Sequence, residues 1–245
     1  MPNNVTASPI LEVIGVSKRF GGVLAVDQVS FNVAAGSAVG LIGPNGAGKT
    51  TLFNLLSGFE SADDGTIRFA GSPIERSFPH RIARLGIGRT FQSVRVFASM
   101  SVRENLRVAH MYGRNAGSSH FDERAAEILS FVGLTRLGEA MAGSLSYGQR
   151  KLVELGMVLI TDPSLILLDE PVAGVNPALI NEIARLLLEL LGRGLTLLVV
   201  EHNLPFVTGV CQDIIVMANG RLLVRGGGSD VQRDPQVLEA FLGAA

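Results

Sequence analysis

Cysteine is almost absent from this chain, its charges nearly cancel, and no apolar run is long enough to cross a bilayer. A single cysteine, Cys211, excludes an intrachain disulfide and a thiolate metal cluster and fits a reducing cytoplasm. Its expected place is a small buried apolar position. With 21 basic and 22 acidic residues the net charge is −1, so nothing draws the whole molecule toward nucleic acid, and no nucleic-acid partner is expected. Hydrophobic residues make up 47% of the chain and mean hydropathy is +0.35, yet no stretch approaches the roughly 20 apolar residues of a membrane helix. The polar start, Met1 to Pro9, lacks a basic end and an apolar core and is not expected to direct export. Repeats of useful length and low-complexity tails are also missing.

What is present is an alternation of short apolar runs with helical periodicity, the pattern of a mostly parallel sheet flanked by helices in 245 residues. Buried strands are expected at Val39–Ile42, Leu165–Leu168, Leu195–Val200 and Ile214–Met217. Leu11–Val16, Val29–Val33 and Thr66–Phe69 read as further strands, and Asn219-Gly220 before Leu222–Val224 is a hairpin signal, together suggesting a small antiparallel layer. From Ser101 to Ile160 the pattern is mainly helical, opening on the capping box Ser101-Val102-Arg103-Glu104 and including the amphipathic stretch Glu123–Val132. Gly113–His120, rich in glycine and serine, reads as a mobile loop.

Between Val39–Ile42 and a helical run lies Gly43-Pro44-Asn45-Gly46-Ala47-Gly48-Lys49-Thr50-Thr51, a P-loop in strand–loop–helix context. Its glycines let successive backbone N–H groups turn inward on a phosphate, and the following helix adds its positive N-terminal end. Lys49 is expected to reach the β- and γ-phosphates of a nucleotide triphosphate, and the Thr50 hydroxyl to ligate Mg²⁺. The bland alternative is a glycine turn between strand and helix.

Leu165–Leu168 ends in Asp169-Glu170, where a parallel sheet presents its carboxyl edge to ligand. Asp169 is a candidate Mg²⁺ holder through water, and Glu170 a candidate to accept a proton from the water attacking the γ-phosphate. Leu145-Ser146-Tyr147-Gly148-Gln149 precedes a helix; Ser146 and Gln149 form a capping box, which is also compatible with an anion site. Asn176-Pro177 reads as an N-cap followed by proline at the first helical position.

Together the P-loop, Leu145–Gln149, Leu165–Glu170 and a lone histidine after a strand, His202, resemble the nucleotide-binding subunit of an ATP-binding cassette (ABC) transporter, over essentially Leu11 to Leu242. The resemblance implies an α/β P-loop NTPase fold: a RecA-like, mostly parallel core with an antiparallel β layer and an inserted helical subdomain. It implies one cassette over 10–243, with the core at about 10–93 and 162–243 and the helical subdomain at about 94–161. By the same resemblance Gln92 joins the Mg²⁺ and water shell, His202 hydrogen-bonds the γ-phosphate and Phe20 stacks on adenine. Ser146, Gly148 and Gln149 of one subunit would contact the γ-phosphate held by another, so a monomer would bind ATP and hydrolyse it poorly. Asn176 stands where the family more often has aspartate.

Phe20–Val26, Gly86–Gln92, the tyrosine inside Leu145–Gln149, Glu170–Pro177 and Asp234–Gly243 narrow the resemblance to branched-chain amino-acid importer ATPases. Arg225-Gly226-Gly227-Gly228 departs from that pattern. Implied partners are two membrane permeases, a second cassette and, indirectly, a periplasmic binding protein, with docking near Gln92 and Ser93 to Glu104 on the cytoplasmic face of the inner membrane. Importers of urea or amides, lipid exporters, soluble nucleotide-gated clamps in translation or DNA repair, and a degenerate structural cassette are the rival readings. Intact Lys49, Asp169, Glu170 and His202 speak against the last.

Overall fold

The computed structural model describes residues 9–242 apart from 115 and 117–119, so half of the expected Gly113–His120 loop lies outside the described residues. The chain opens with β1 (Pro9–Phe20), β2 (Val23–Ala34), β3 (Ala38–Ile42), α1 (Lys49–Leu56), β4 (Asp64–Phe69), β5 (Ser72–Pro73), α2 (Pro79–Leu85) and β6 (Ile87–Arg89). Three helices follow, α3 (Val102–His110), α4 (Phe121–Phe131) and α5 (Tyr147–Leu159). The remainder runs β7 (Leu165–Asp169), α6 (Pro177–Gly192), β8 (Thr196–Val200), α7 (Leu204–Val210), β9 (Asp213–Ala218), β10 (Arg221–Gly226), α8 (Gly228–Arg233) and α9 (Pro235–Leu242). Among the described residues no helix is long and apolar enough to cross a membrane.

Two sheets form. One is antiparallel, in the order β2-β1-β4-β5; the other runs β10-β9-β3-β8-β7-β6 and is parallel except for β10. The hairpin expected at Asn219-Gly220 exists, both residues having positive φ (49° and 79°), as a two-residue turn matched to strand twist requires. It closes the antiparallel edge of the parallel sheet, however, and is not part of the separate antiparallel layer. Arg225 bridges the two sheets, bonding Asp213 and the Asn32 side chain and carbonyl, so the sequence departure at Arg225–Gly228 has a structural use.

β3, β7 and β8 are buried along their whole length, which explains their continuous apolar sequences: both faces of the sheet are covered. Alternate residues serve opposite faces. Ile166, Leu168, Leu197 and Val199 pack with Leu106, Ile128, Val153 and Leu186 of α3–α6. Leu165, Leu167, Leu198 and Val200 pack with Leu52 and Phe53 of α1 and with Leu11, Val29 and Ile67 of the antiparallel sheet. Cys211 is buried as expected, and burial pushes its thiol up to about 12, far from any reactive range. Among the elements that sequence reading leaves out are α2, β5, α7, α8 and the three-residue β6, the last too short to show periodicity.

The sheet order brings the carboxyl ends of β3, β8, β7 and β6 side by side, with Leu41 and Asp169 both paired to Val200. The segments leaving those ends carry the P-loop, His202, Glu170 and Gln92, so residues far apart in sequence share one edge.

Candidate functional site

The P-loop curls from β3 into α1. Gly48 sits at the N-cap with φ 95°, and a side chain there would collide with the Ala25 carbonyl, so only glycine fits. Lys49 is buried and folds back to donate to the carbonyls of Gly43 and Pro44 at 2.7 and 2.9 Å. Burial lowers its pKa, while Glu170 and then Asp169 pull the other way. The cleft over this loop is walled by Val23–Ala25 and Asn219-Gly220 and includes Asn45 to Thr51, Gln92, Glu170 and His202. Phe20 is not in that wall: its ring is half exposed at the end of β1, 5.2 Å from the Lys18 Nζ.

Asp169 ends β7 buried, with its Oδ2 accepting from Arg89 at 3.0 Å and its backbone N–H donating to the Thr90 hydroxyl. Arg89 also donates to Asn54 and Ser57 and lies against the rings of Phe53, Phe59 and Phe91. Burial raises the Asp169 pKa and lowers that of Arg89, so loss of water outweighs the pairing on both sides. Sequence reasoning quoted Arg89 within a motif and gave it no role. The signal available is an arginine directly after the apolar Ile87-Gly88, since a buried arginine must meet an acid.

Glu170 stands one residue on, with φ 49°, its N–H bonded to Val200 and its carbonyl accepting from Lys151. Its Oε2 accepts from Gln92 Nε2 at 3.0 Å and its Oε1 lies 2.9 Å from His202 Nε2. Glu170 thus touches both Gln92 and His202 at the mouth of the cleft. His202 is held from behind by Glu201, a buried carboxylate that accepts from the N–H groups of Val172, His202 and Asn203. That brace was also missed, because it depends on the turn that β8 makes into α7.

Ser146, Gly148 and Gln149 do not reach this cleft. They open α5 on a complete capping box, Ser146 Oγ accepting from Gln149 N–H and Gln149 Oε1 from Ser146 N–H. Ser146 is exposed, which leaves the helix end free to meet another surface. Asn176 caps α6 through the Leu179 N–H, with Pro177 at its first position.

On α5, Glu154 is buried and its Oε1 accepts from the N–H groups of Phe91 and Arg95, at either side of Gln92. Burial pushes its carboxyl up to about 7 against those bonds and the nearby Lys151 and Arg95 charges. A folded-state pKa above the unfolded one means the native state binds the extra proton. This group's contribution to stability therefore falls as pH rises from about 4.5 to about 7 and is flat above that. Glu154→Gln should gain up to about 3 kcal/mol over the wild type at pH 8 and almost nothing at pH 4.5, by urea unfolding at each pH. Equal stability of the two proteins at pH 8 would contradict this.

Residues 26–173 match the family described as ABC transporter. The probable branched-chain amino acid transport ATP-binding protein LivG of Archaeoglobus fulgidus is 40% identical over 246 residues, covering 96% of this chain and 96% of the relative. The high-affinity branched-chain amino acid transport ATP-binding protein BraF of Pseudomonas aeruginosa is 38% identical, covering 97% and 99%. The crystal structure of the ADP conformation of an ATP-binding cassette of an ABC transporter superposes with a TM-score of 0.89 at 37% identity, over 97% of this chain and 100% of that one. With its P-loop, its paired acids and the capped helix opened by the signature residues Ser146, Gly148 and Gln149 set on the edges that this fold provides, the chain belongs to the ABC transporter family as an ATP-binding subunit.

Proposed function

We propose that this subunit hydrolyses ATP to power an importer of branched-chain amino acids, as one cassette over about 10–243 whose helical part, about 94–161, carries the signature residues. The observation that carries the reading is Glu170 held between Gln92 and His202 beside the P-loop. The names of the relatives point to branched-chain amino acids, a substrate the cassette itself does not touch.

In this reading the P-loop amides and Lys49 bind the phosphates, Lys49 exchanging its two carbonyl bonds for phosphate oxygens. Water attacks the γ-phosphorus, its proton passes to the Glu170 carboxylate, and the bond from the γ-phosphorus to the bridging oxygen breaks to leave ADP and phosphate. Gln92 orients that water, and His202 donates to the γ-phosphate. Thr50 and Asp169 offer a hydroxyl and a carboxylate, hard oxygen donors that suit Mg²⁺. Mg²⁺ typically keeps several waters and is held by one or two protein oxygens together with phosphate oxygens. Bound there, Mg²⁺ would neutralise charge on the β- and γ-phosphates.

Ser146, Gly148 and Gln149 would complete the site of a second cassette, since they lie outside the cleft of their own chain. The permeases would dock on the groove beside Gln92, where Phe59, Phe91, Arg95, Phe97 and Tyr112 line an apolar surface and Phe78 stands 69% exposed nearby. In this reading the subunit sits peripherally at the cytoplasmic side of the inner membrane. Purification from detergent-solubilised membranes of the native host, followed by mass spectrometry, should recover two multi-span permeases and a second cassette. Recovery from the soluble fraction alone, with ribosomes, DNA or no partner, would sink the transporter reading.

A further inference from the structure

Lys151 and Glu154 lie three residues apart on α5, in a stretch from Lys151 to Gly156 that is buried on every side of the helix and is otherwise apolar, and both are 6% exposed. Burying two charges there is costly, and burial moves both groups toward neutrality. What they hold explains their presence. Lys151 Nζ donates to the Glu170 carbonyl at 2.8 Å, fixing the residue whose backbone is in the left-handed region. Glu154 Oε1 accepts from Phe91 and Arg95 at 3.3 and 3.2 Å, so the loop carrying Gln92 is tied at both ends to the same helical turn. That turn directly follows Ser146, Gly148 and Gln149.

We infer that Lys151 and Glu154 are positioning residues that lock the signature helix to Gln92 and Glu170, so that engagement of the signature residues by a second nucleotide sets the water-handling pair of their own site. The inference rests on the proposed ATPase reading and adds to it a route by which two composite sites in a dimer sense each other. Neither side chain lines the nucleotide cleft, so their loss should leave ATP binding intact and reach turnover only through Gln92 and Glu170. A further anchor has the same direction: Ala98 and Met100 carbonyls accept from Gly143 and Ala142, joining the segment after Gln92 to the turn before Ser146.

The test compares full-length wild type with Lys151→Met, Glu154→Ala and Glu154→Gln by amide hydrogen exchange over residues 91–95, by ATP affinity and by steady-state phosphate release. Glu154→Ala should lose protection at Phe91 and Arg95 by about tenfold or more, because the side-chain oxygen that accepts from both is gone. Glu154→Gln, whose amide oxygen accepts the same two N–H groups, should keep it. Lys151→Met and Glu154→Ala should bind ATP within about twofold of wild type and turn it over at least about tenfold more slowly, with Glu154→Gln within about threefold of wild type. Unchanged exchange in Glu154→Ala, or unchanged turnover in both Lys151→Met and Glu154→Ala, would overturn the inference. Should Glu154→Ala fail to fold, Lys151→Met and Glu154→Gln decide it: normal turnover in the first, or lost protection in the second, rejects it. Failure of the wild type to bind ATP would instead reject the ATPase reading, and the exchange data would still decide whether α5 anchors the loop.

Discussion

Glu170→Gln is expected to slow ATP turnover by about 10²–10⁴-fold while ATP affinity stays within about twofold of wild type. The substitution keeps the shape of the side chain and one carbonyl oxygen for Gln92, and it removes the negative charge and the capacity to take a proton. The left-handed backbone, held by Val200 and Lys151, is untouched because both bonds are to main-chain atoms. Lys49 and the loop amides, which would carry the phosphates, are also unchanged, so binding and chemistry should separate. Phosphate release and titration with a fluorescent ATP analogue read the two quantities. Hydrolysis at the normal rate would mean that Glu170 is not the proton acceptor, and joint loss of binding would mean that it shapes the cleft instead.

Removing Arg89 should cost more stability than any other single change near the site. Arg89→Ala leaves Asp169 buried beside an empty space, without its partner, and takes from the Asn54 side-chain oxygen the donor it now has, a loss of about 3–5 kcal/mol by urea unfolding. Three phenylalanine rings also lose the guanidinium packed against them. The penalty arises from the stranded carboxylate, so Asp169→Asn placed in the Arg89→Ala background should recover part of it. In the wild-type background Asp169→Asn should instead be destabilising, since Arg89 then loses its counter-charge. A double-variant cycle measures the coupling directly. Additivity of the two changes would show that the pair, although 3.0 Å apart, contributes nothing specific to the fold.

The sequence by itself determined those features whose physics is local. The P-loop follows from glycine spacing and a lysine ahead of a helix, because backbone freedom and helix polarity act within ten residues. Both capping boxes, the Asn176-Pro177 helix start and the Asn219-Gly220 turn are read from adjacent residues that satisfy each other's hydrogen bonds or accept a positive φ. The buried strands of the parallel sheet are equally legible, since burial on both faces leaves an unbroken apolar run.

The tertiary structure alone decided which distant residues meet. Arg89 and Asp169 are 80 positions apart, and Gln92 and Glu170 are 78 apart. Their contacts exist because β6 and β7 lie parallel and in register, and β6 is a three-residue strand that no periodicity announces. Likewise Glu154 looks like one more charge on a helix until α5 packs against the loop after β6, where its side-chain oxygen accepts from two main-chain N–H groups. That Val23–Ala25 wall the cleft has the same origin: sequence gives the side chains, but the bend between β1 and β2 sets which of them face the phosphate loop. Local bonding is encoded in neighbouring residues; the pairing of buried charges is fixed only when the sheet register closes the distance and excludes the water between them.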